Sequence, residues 1–215
     1  MAKATALDQC RALVHHFVCR MMAACFYGHW NLVLETSNRL DFQFEVAKVI
    51  MFRPFLQLRM FYGGLAAGIL GQKKPLATSM QRLSKWTKQG TKNCEHMLLL
   101  LQAEESRMKK EKLEVILRKF RSAVRAGAES GCRHHEALAC EQLAYVLLSE
   151  NKDASAEIER ARDLYAAWGA QAKAQHMTNL LVGKAANSKP IENKRSSAPR
   201  TSQTVSSTTD ILGLL

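Results

Sequence analysis

Phe120-Arg-Ser-Ala-Val-Arg-Ala-Gly127 is echoed about forty residues later by Ala161-Arg-Asp-Leu-Tyr-Ala-Ala-Trp168-Gly169, and this pair decides the fold class. Each segment carries an aliphatic or aromatic seam at helical spacing and then a glycine. One helical hairpin cannot bury its apolar face alone, so two related hairpins at a fixed spacing predict a stacked α-solenoid. The spacing exceeds the roughly thirty-four residues of regular tetratricopeptide repeats, so strict consensus repeats are not expected.

Composition agrees with that class. Apolar residues make up 47% of the 215-residue chain and only four residues are proline, which is enough to fold one or two domains around a core. No alternating β-branched run bounded by turns is present, so an all-α architecture is predicted, a right-handed stack of about nine helices.

The breakers set the helix limits. Helices are predicted over 5–26, 30–52 (ending before Pro54), 55–70, 75–89, 93–108, 110–130, 134–150, 153–168 and 170–182. Pro75 suits a first turn, and Asn93 and Asp153 are candidate N-caps. Leu113, Ile116, Leu117, Phe120 and Val124 form one apolar face. The first helix exposes an apolar stripe, Leu13, Phe17 and Met21, unless something caps it. From Lys184 onward Ser, Thr, Asn, Lys and Pro dominate. The expectation is a helical-repeat domain over 1–183 and a disordered basic tail over 184–215.

The formal net charge is +12. The tail carries Lys184, Lys189, Lys194, Arg195 and Arg200 against Glu192 and Asp210, so most of the excess stays on the body. Within the body, Arg118, Arg121 and Arg125 share one flank of a helix and form a candidate partner-binding or anion stripe. Glu111 and Glu114 are available for intrahelical pairing. Six cysteines occur, but Asp8, Arg11 and Arg20 interrupt the early apolar runs, which argues against a secretory signal. Reduced thiols in a cytoplasmic protein are expected. The most apolar window, Met60 to Gly71, is too short to span a bilayer.

A second set of residues carries a resemblance. Phe61-Tyr-Gly-Gly-Leu65, Arg82-Leu-Ser-Lys-Trp86, Asn93-Cys-Glu-His96 and Leu99-Leu-Leu-Gln-Ala-Glu104 occur in that order. They are followed by His135-Glu-Ala-Leu-Ala139, Leu143-Ala144 and the run from Ala161 to Lys173. Together they resemble the tetratricopeptide-like helical region of large multidomain signalling proteins. Those proteins join a serine/threonine-kinase-like domain, a P-loop ATPase, this region, a sensor domain and a histidine kinase or cyclase. The resemblance implies a scaffold in a signalling assembly, with a kinase or ATPase component as protein partner. No phosphate loop, kinase signature or ATP-lid glycines accompany it, so the parents' ATP chemistry is not carried over and no enzyme activity is expected.

Other constellations read as packing. Trp86, Ala161, Tyr165 and Trp168 fall on helical seams as a packing signature. Gly63, Gly64, Gly68 and Gly71 match no nucleotide motif and suit close helix contact. His15–Cys19 and Cys25–His29 are i,i+4 pairs, but they lie about 15 Å apart along the helix. Cys132, His134, His135 and Cys140 cluster without a metal-ligand spacing. His135-Glu136 begins a metalloprotease pattern that fails at Ala139. Neither metal nor cofactor is expected. The rival to a protein-binding scaffold is a basic surface for nucleic acid or anionic membrane, and an unrecognised enzyme comes third.

Overall fold

The chain's structure is a computed structural model that describes residues 2–47 and 53–187. Among these residues it contains nine α-helices and no strand. They are α1 (Ala2–Phe26), α2 (Trp30–Ala47), α3 (Arg53–Ile69), α4 (Lys73–Lys88), α5 (Glu95–Met108), α6 (Leu113–Glu129), α7 (Arg133–Ser149), α8 (Ser155–Ala167) and α9 (Gln171–Asn187). A single 3₁₀ turn, Lys92–Cys94, leads into α5. Among the described residues no helix is long and apolar enough to cross a membrane.

Each helix packs against its successor, and α1 also meets α3, α3 meets α5, and α5 meets α7. The core runs through all of them. Met21, Leu40, Phe61, Tyr62, Leu65, Leu101, Phe120 and Tyr165 are fully buried. Each large side chain so buried contributes about 1.5–3 kcal/mol from removal of apolar surface. Close helix approach comes from glycine: a Cβ on Gly64 would lie 2.7 Å from Ser79 Cβ and 2.8 Å from Leu101 Cδ1. Gly64 therefore lets α3 sit against α4 and α5 at once.

The two glycines of the repeated segment play different parts. Gly169 stands at φ 88°, just beyond α8. There Gly169 N–H donates to Ala166 O (3.0 Å) and Ala170 N–H to Tyr165 O (2.9 Å), closing the helix in a Schellman motif. Gly127 instead lies inside α6, where a Cβ would meet Glu136 Cα of α7 at 3.0 Å. It is a contact point between helices, not a stop.

Several boundaries differ from expectation for local reasons. Lys110, expected to begin the sixth helix, has φ 54° and ends the fifth: its N–H and that of Glu111 close onto Arg107 O and Ser106 O. Asn93 lies in the 3₁₀ turn, and Cys94 is the α5 N-cap. Asp153 sits one residue before the N-cap of α8, Ala154, where Asp153 Oδ1 accepts from Ser155 N–H (3.2 Å) and Oγ–H (2.8 Å). Pro75 does fall in the first turn of α4. α9 runs through Lys184 to Asn187, four residues past the change in composition. The rest of the expected tail, and positions 48–52 of the expected second helix, lie outside the described residues.

The α1 stripe divides. Met21 is fully buried and Phe17 packs partly against the core, while Leu13 stays 43% exposed. The C-terminal end of α1 reaches across to the later helices. Phe26 packs against Tyr62 of α3, His134 of α7, Tyr165 of α8 and Trp168, with ring centroids 5.1–6.3 Å apart.

Candidate functional site

The apolar seam of α6 turns inward, burying Ile116, Leu117, Phe120 and Val124. Helical periodicity then places Arg118, Arg121 and Arg125 outside, and all three are exposed. None of them forms an ion pair with another described residue. The nearby lysines do: Lys109 with Glu105 at 2.8 Å and Lys119 with Glu111 at 3.2 Å. The pairing expected from Glu111 and Glu114 therefore does not reach the three arginines among the described residues.

Arg121 and Arg125 border a groove of about 430 Å³ between α6 and α8, floored by Cys140 and Leu143 of α7. Arg118 is not part of its lining. Arg160 of α8 borders the other side, and its Nε and Nη2 both donate to Glu136 Oε1, at 3.0 and 2.7 Å. Glu129 and Glu157 also reach the rim. The floor is apolar and the rim is charged with both signs.

A second polar assembly lies buried where α3, α5 and α7 meet. Tyr62 Oη is 2.9 Å from His135 Nε2, and His135 Nδ1 is 2.8 Å from His96 Nε2. The His96 Nδ1 atom is buried without a hydrogen-bond partner. Cys132, the N-cap of α7, brings its sulfur close: one ligand atom from each of His96, Cys132 and His135 lies within 4.8 Å of the others. Burial, and then the neighbouring His134, push the His96 imidazolium down to about 4. Burial pushes His135 well below the ordinary range, helped by His134 and His96. Both rings are thus neutral near pH 7 and keep lone pairs available. His134 stacks on Trp168 with centroids 5.0 Å apart.

A third assembly ties α7, α8 and α9. Glu141 accepts from Tyr145 Oη (2.8 Å), Tyr165 Oη (2.6 Å) and Lys173 Nζ (2.5 Å). Three donors on one buried carboxylate offset much of its desolvation cost. Beside it, a cavity of about 490 Å³ opens between the α1–α2 turn and α9, lined by Phe26, Trp30, Tyr145, Lys173 and His176.

The residues of the packing signature separate. Ala161 and Tyr165 are fully buried, and Trp86 is partly buried against the core. Trp168 is 41% exposed and acts as the α8 C-cap, touching Phe26 and His134. The i,i+4 pairs of α1 also separate: Cys19 Sγ lies 3.8 Å from His15 Nδ1 at the surface, whereas Cys25 is buried and His29 exposed. Cys140 belongs to the groove floor, away from Cys132. Sequence reading passed over His96, Tyr62, Glu141 and Lys173 as functional groups. The signal for Glu141 was a carboxylate inside the apolar run from Ala137 to Leu148; for the others only tertiary contact reveals it. Comparison of the chain with protein-family models, curated proteins and solved structures returns no match.

Proposed function

We propose that this chain is a non-catalytic helical-repeat scaffold whose α6–α8 groove docks an acidic segment of a protein partner. The observation that carries the reading is the pair Arg121 and Arg125, exposed and without ion pairs among the described residues, beside an apolar floor. An acidic side chain takes a guanidinium in a bidentate hydrogen-bonded pair, and an apolar neighbour fills the floor over Cys140 and Leu143. Arg118 extends the positive surface toward the start of α6 and steers encounter. The succession of contacts, each helix on the next and α1, α3 and α5 each also on the following odd helix, supports an α-solenoid of tetratricopeptide-like hairpins. The resemblance of the chain supports a signalling assembly in the cytoplasm, with a kinase or ATPase component as the partner.

The rival, a surface for nucleic acid or anionic membrane, fits the groove less well. Glu129 and Glu157 line it, which opposes phosphate, and no aromatic ring lines it to stack a base.

The test is affinity purification of the tagged chain from its own cells, at moderate and high salt, beside Arg121→Glu/Arg125→Glu. A short list of proteins that survives high salt and is lost from the variant supports the scaffold. A catch of nucleic-acid-associated material that vanishes with salt or nuclease overturns it.

A further inference from the structure

We propose that His96, Cys132 and His135 form a binding site for a zinc-class divalent cation at the junction of α5 and α7. The proposal is independent of the groove and of any docking partner.

The donors converge from separate places in the chain. His96 is the second residue of α5, Cys132 caps α7, and His135 lies in the first turn of α7. Their ligand atoms lie within 4.8 Å of one another, with His96 Nε2 and His135 Nδ1 facing each other at 2.8 Å. Around tetrahedral zinc, bonds of about 2.0–2.1 Å to nitrogen and 2.3 Å to sulfur hold neighbouring donors roughly 3.3–3.7 Å apart. Opening the histidine contact by about half an ångström and rotating the Cys132 side chain reaches that geometry. Two imidazoles and a thiolate select zinc, or cobalt as its probe, over magnesium and calcium, which take oxygen ligands.

Hydrogen bonding alone leaves the assembly incomplete. Two neutral rings share one proton between facing nitrogens, and the chain of bonds ends at the unpartnered His96 Nδ1. A cation needs both facing nitrogens as lone pairs. The shared proton then moves within its own ring, to His135 Nε2 or to His96 Nδ1. On His135 it is donated to Tyr62 Oη, which orients the ligand ring from behind. The only proton released is that of the Cys132 thiol, and no redox step is involved. Cys132 is the partly exposed member and gives the ion its way in, while His96 and His135 are buried. Three protein ligands leave a fourth position for water.

The experiment is titration of the reduced, full-length chain with cobalt(II) near pH 7, read by the thiolate-to-cobalt charge-transfer band, followed by displacement with zinc. Parallel titrations use Cys132→Ser, Cys19→Ser and Tyr62→Phe. Cys132 is partly exposed at a helix cap, so its serine variant is expected to fold. Cys19→Ser removes the surface His15–Cys19 pair, an exposed competing thiol. The expected result is a saturable band that zinc abolishes, absent from Cys132→Ser and intact in Cys19→Ser. Tyr62→Phe should bind about 10- to 100-fold more weakly, as loss of a partner behind a ligand does. Absence of the band from the unaltered chain, its persistence in Cys132→Ser, or its loss in Cys19→Ser overturns the proposal.

Discussion

Phe26 at the end of α1 meets Tyr165 of α8 edge to face, with ring centroids 6.1 Å apart and planes at 88°. This contact joins the first helix to the next-to-last, while the hydroxyl of the same tyrosine holds Glu141 of α7. The beginning and the end of the described chain therefore share one core.

Phe26→Ala should cost about 3–5 kcal/mol, the usual range for a buried phenylalanine. Urea unfolding followed by tryptophan fluorescence should show one transition at a lower midpoint. An unchanged midpoint would mean that the end of α1 lies outside the cooperative unit.

Gly64→Ala should destabilise by about 1–3 kcal/mol, because its methyl meets Ser79 and Leu101 at less than contact distance. Gly71→Ala is the useful contrast, since nothing lies within 4 Å of a Cβ there and only its φ of 73° resists substitution. That backbone strain is worth about 1–2 kcal/mol. Combining Gly64→Ala with Ser79→Gly should recover part of the loss, measured by thermal unfolding, while Gly71→Ala with Ser79→Gly should recover none.

Lys173→Met should cost about 3–5 kcal/mol, since it leaves the buried Glu141 carboxylate without its cation. Adding Glu141→Gln should restore part of the stability, so the double variant should be more stable than the sum of the two singles. Strictly additive losses would show that the pair is not coupled.

Thiol alkylation near pH 8 should separate Cys19, Cys25, Cys94, Cys132 and Cys140, all of which are free. Burial raises the Cys94 thiol to about 11 and the Cys140 thiol to about 12. Burial and the neighbouring Glu141 raise Cys25 beyond the ordinary range. A raised thiol stays protonated below its folded value and is a poor nucleophile there. In the metal-free folded chain, Cys19 and Cys132 should label within minutes, and the other three only after denaturation. Peptide mass spectrometry reads the order, and early labelling of Cys94 or Cys140 would contradict the burial described here.

Helices were legible because helix formation is local. The seam Leu113, Ile116, Leu117, Phe120, Val124 repeats with the helical period, and glycines such as Gly169 close a helix through bonds spanning a few residues. Lys110 was misread as a beginning because its left-handed turn is an ending that glycine would ordinarily mark. The exposed face of Arg118, Arg121 and Arg125 was likewise readable from the seam opposite it.

Which faces meet was not readable, because it depends on contacts between residues far apart in the chain. Gly127 and Gly169 hold matching places in the repeated segment, and only the structure shows Glu136 packed against the first. Tyr62, His96 and His135 sit on three helices, and no spacing in the sequence shows that α3, α5 and α7 converge. Backbone propensity and apolar periodicity, both local, already specify the helices and the sign of the exposed flank. The groove over Cys140, the buried Glu141 network and the His96–Cys132–His135 cluster were decided by tertiary packing, which alone brings distant side chains within bonding distance.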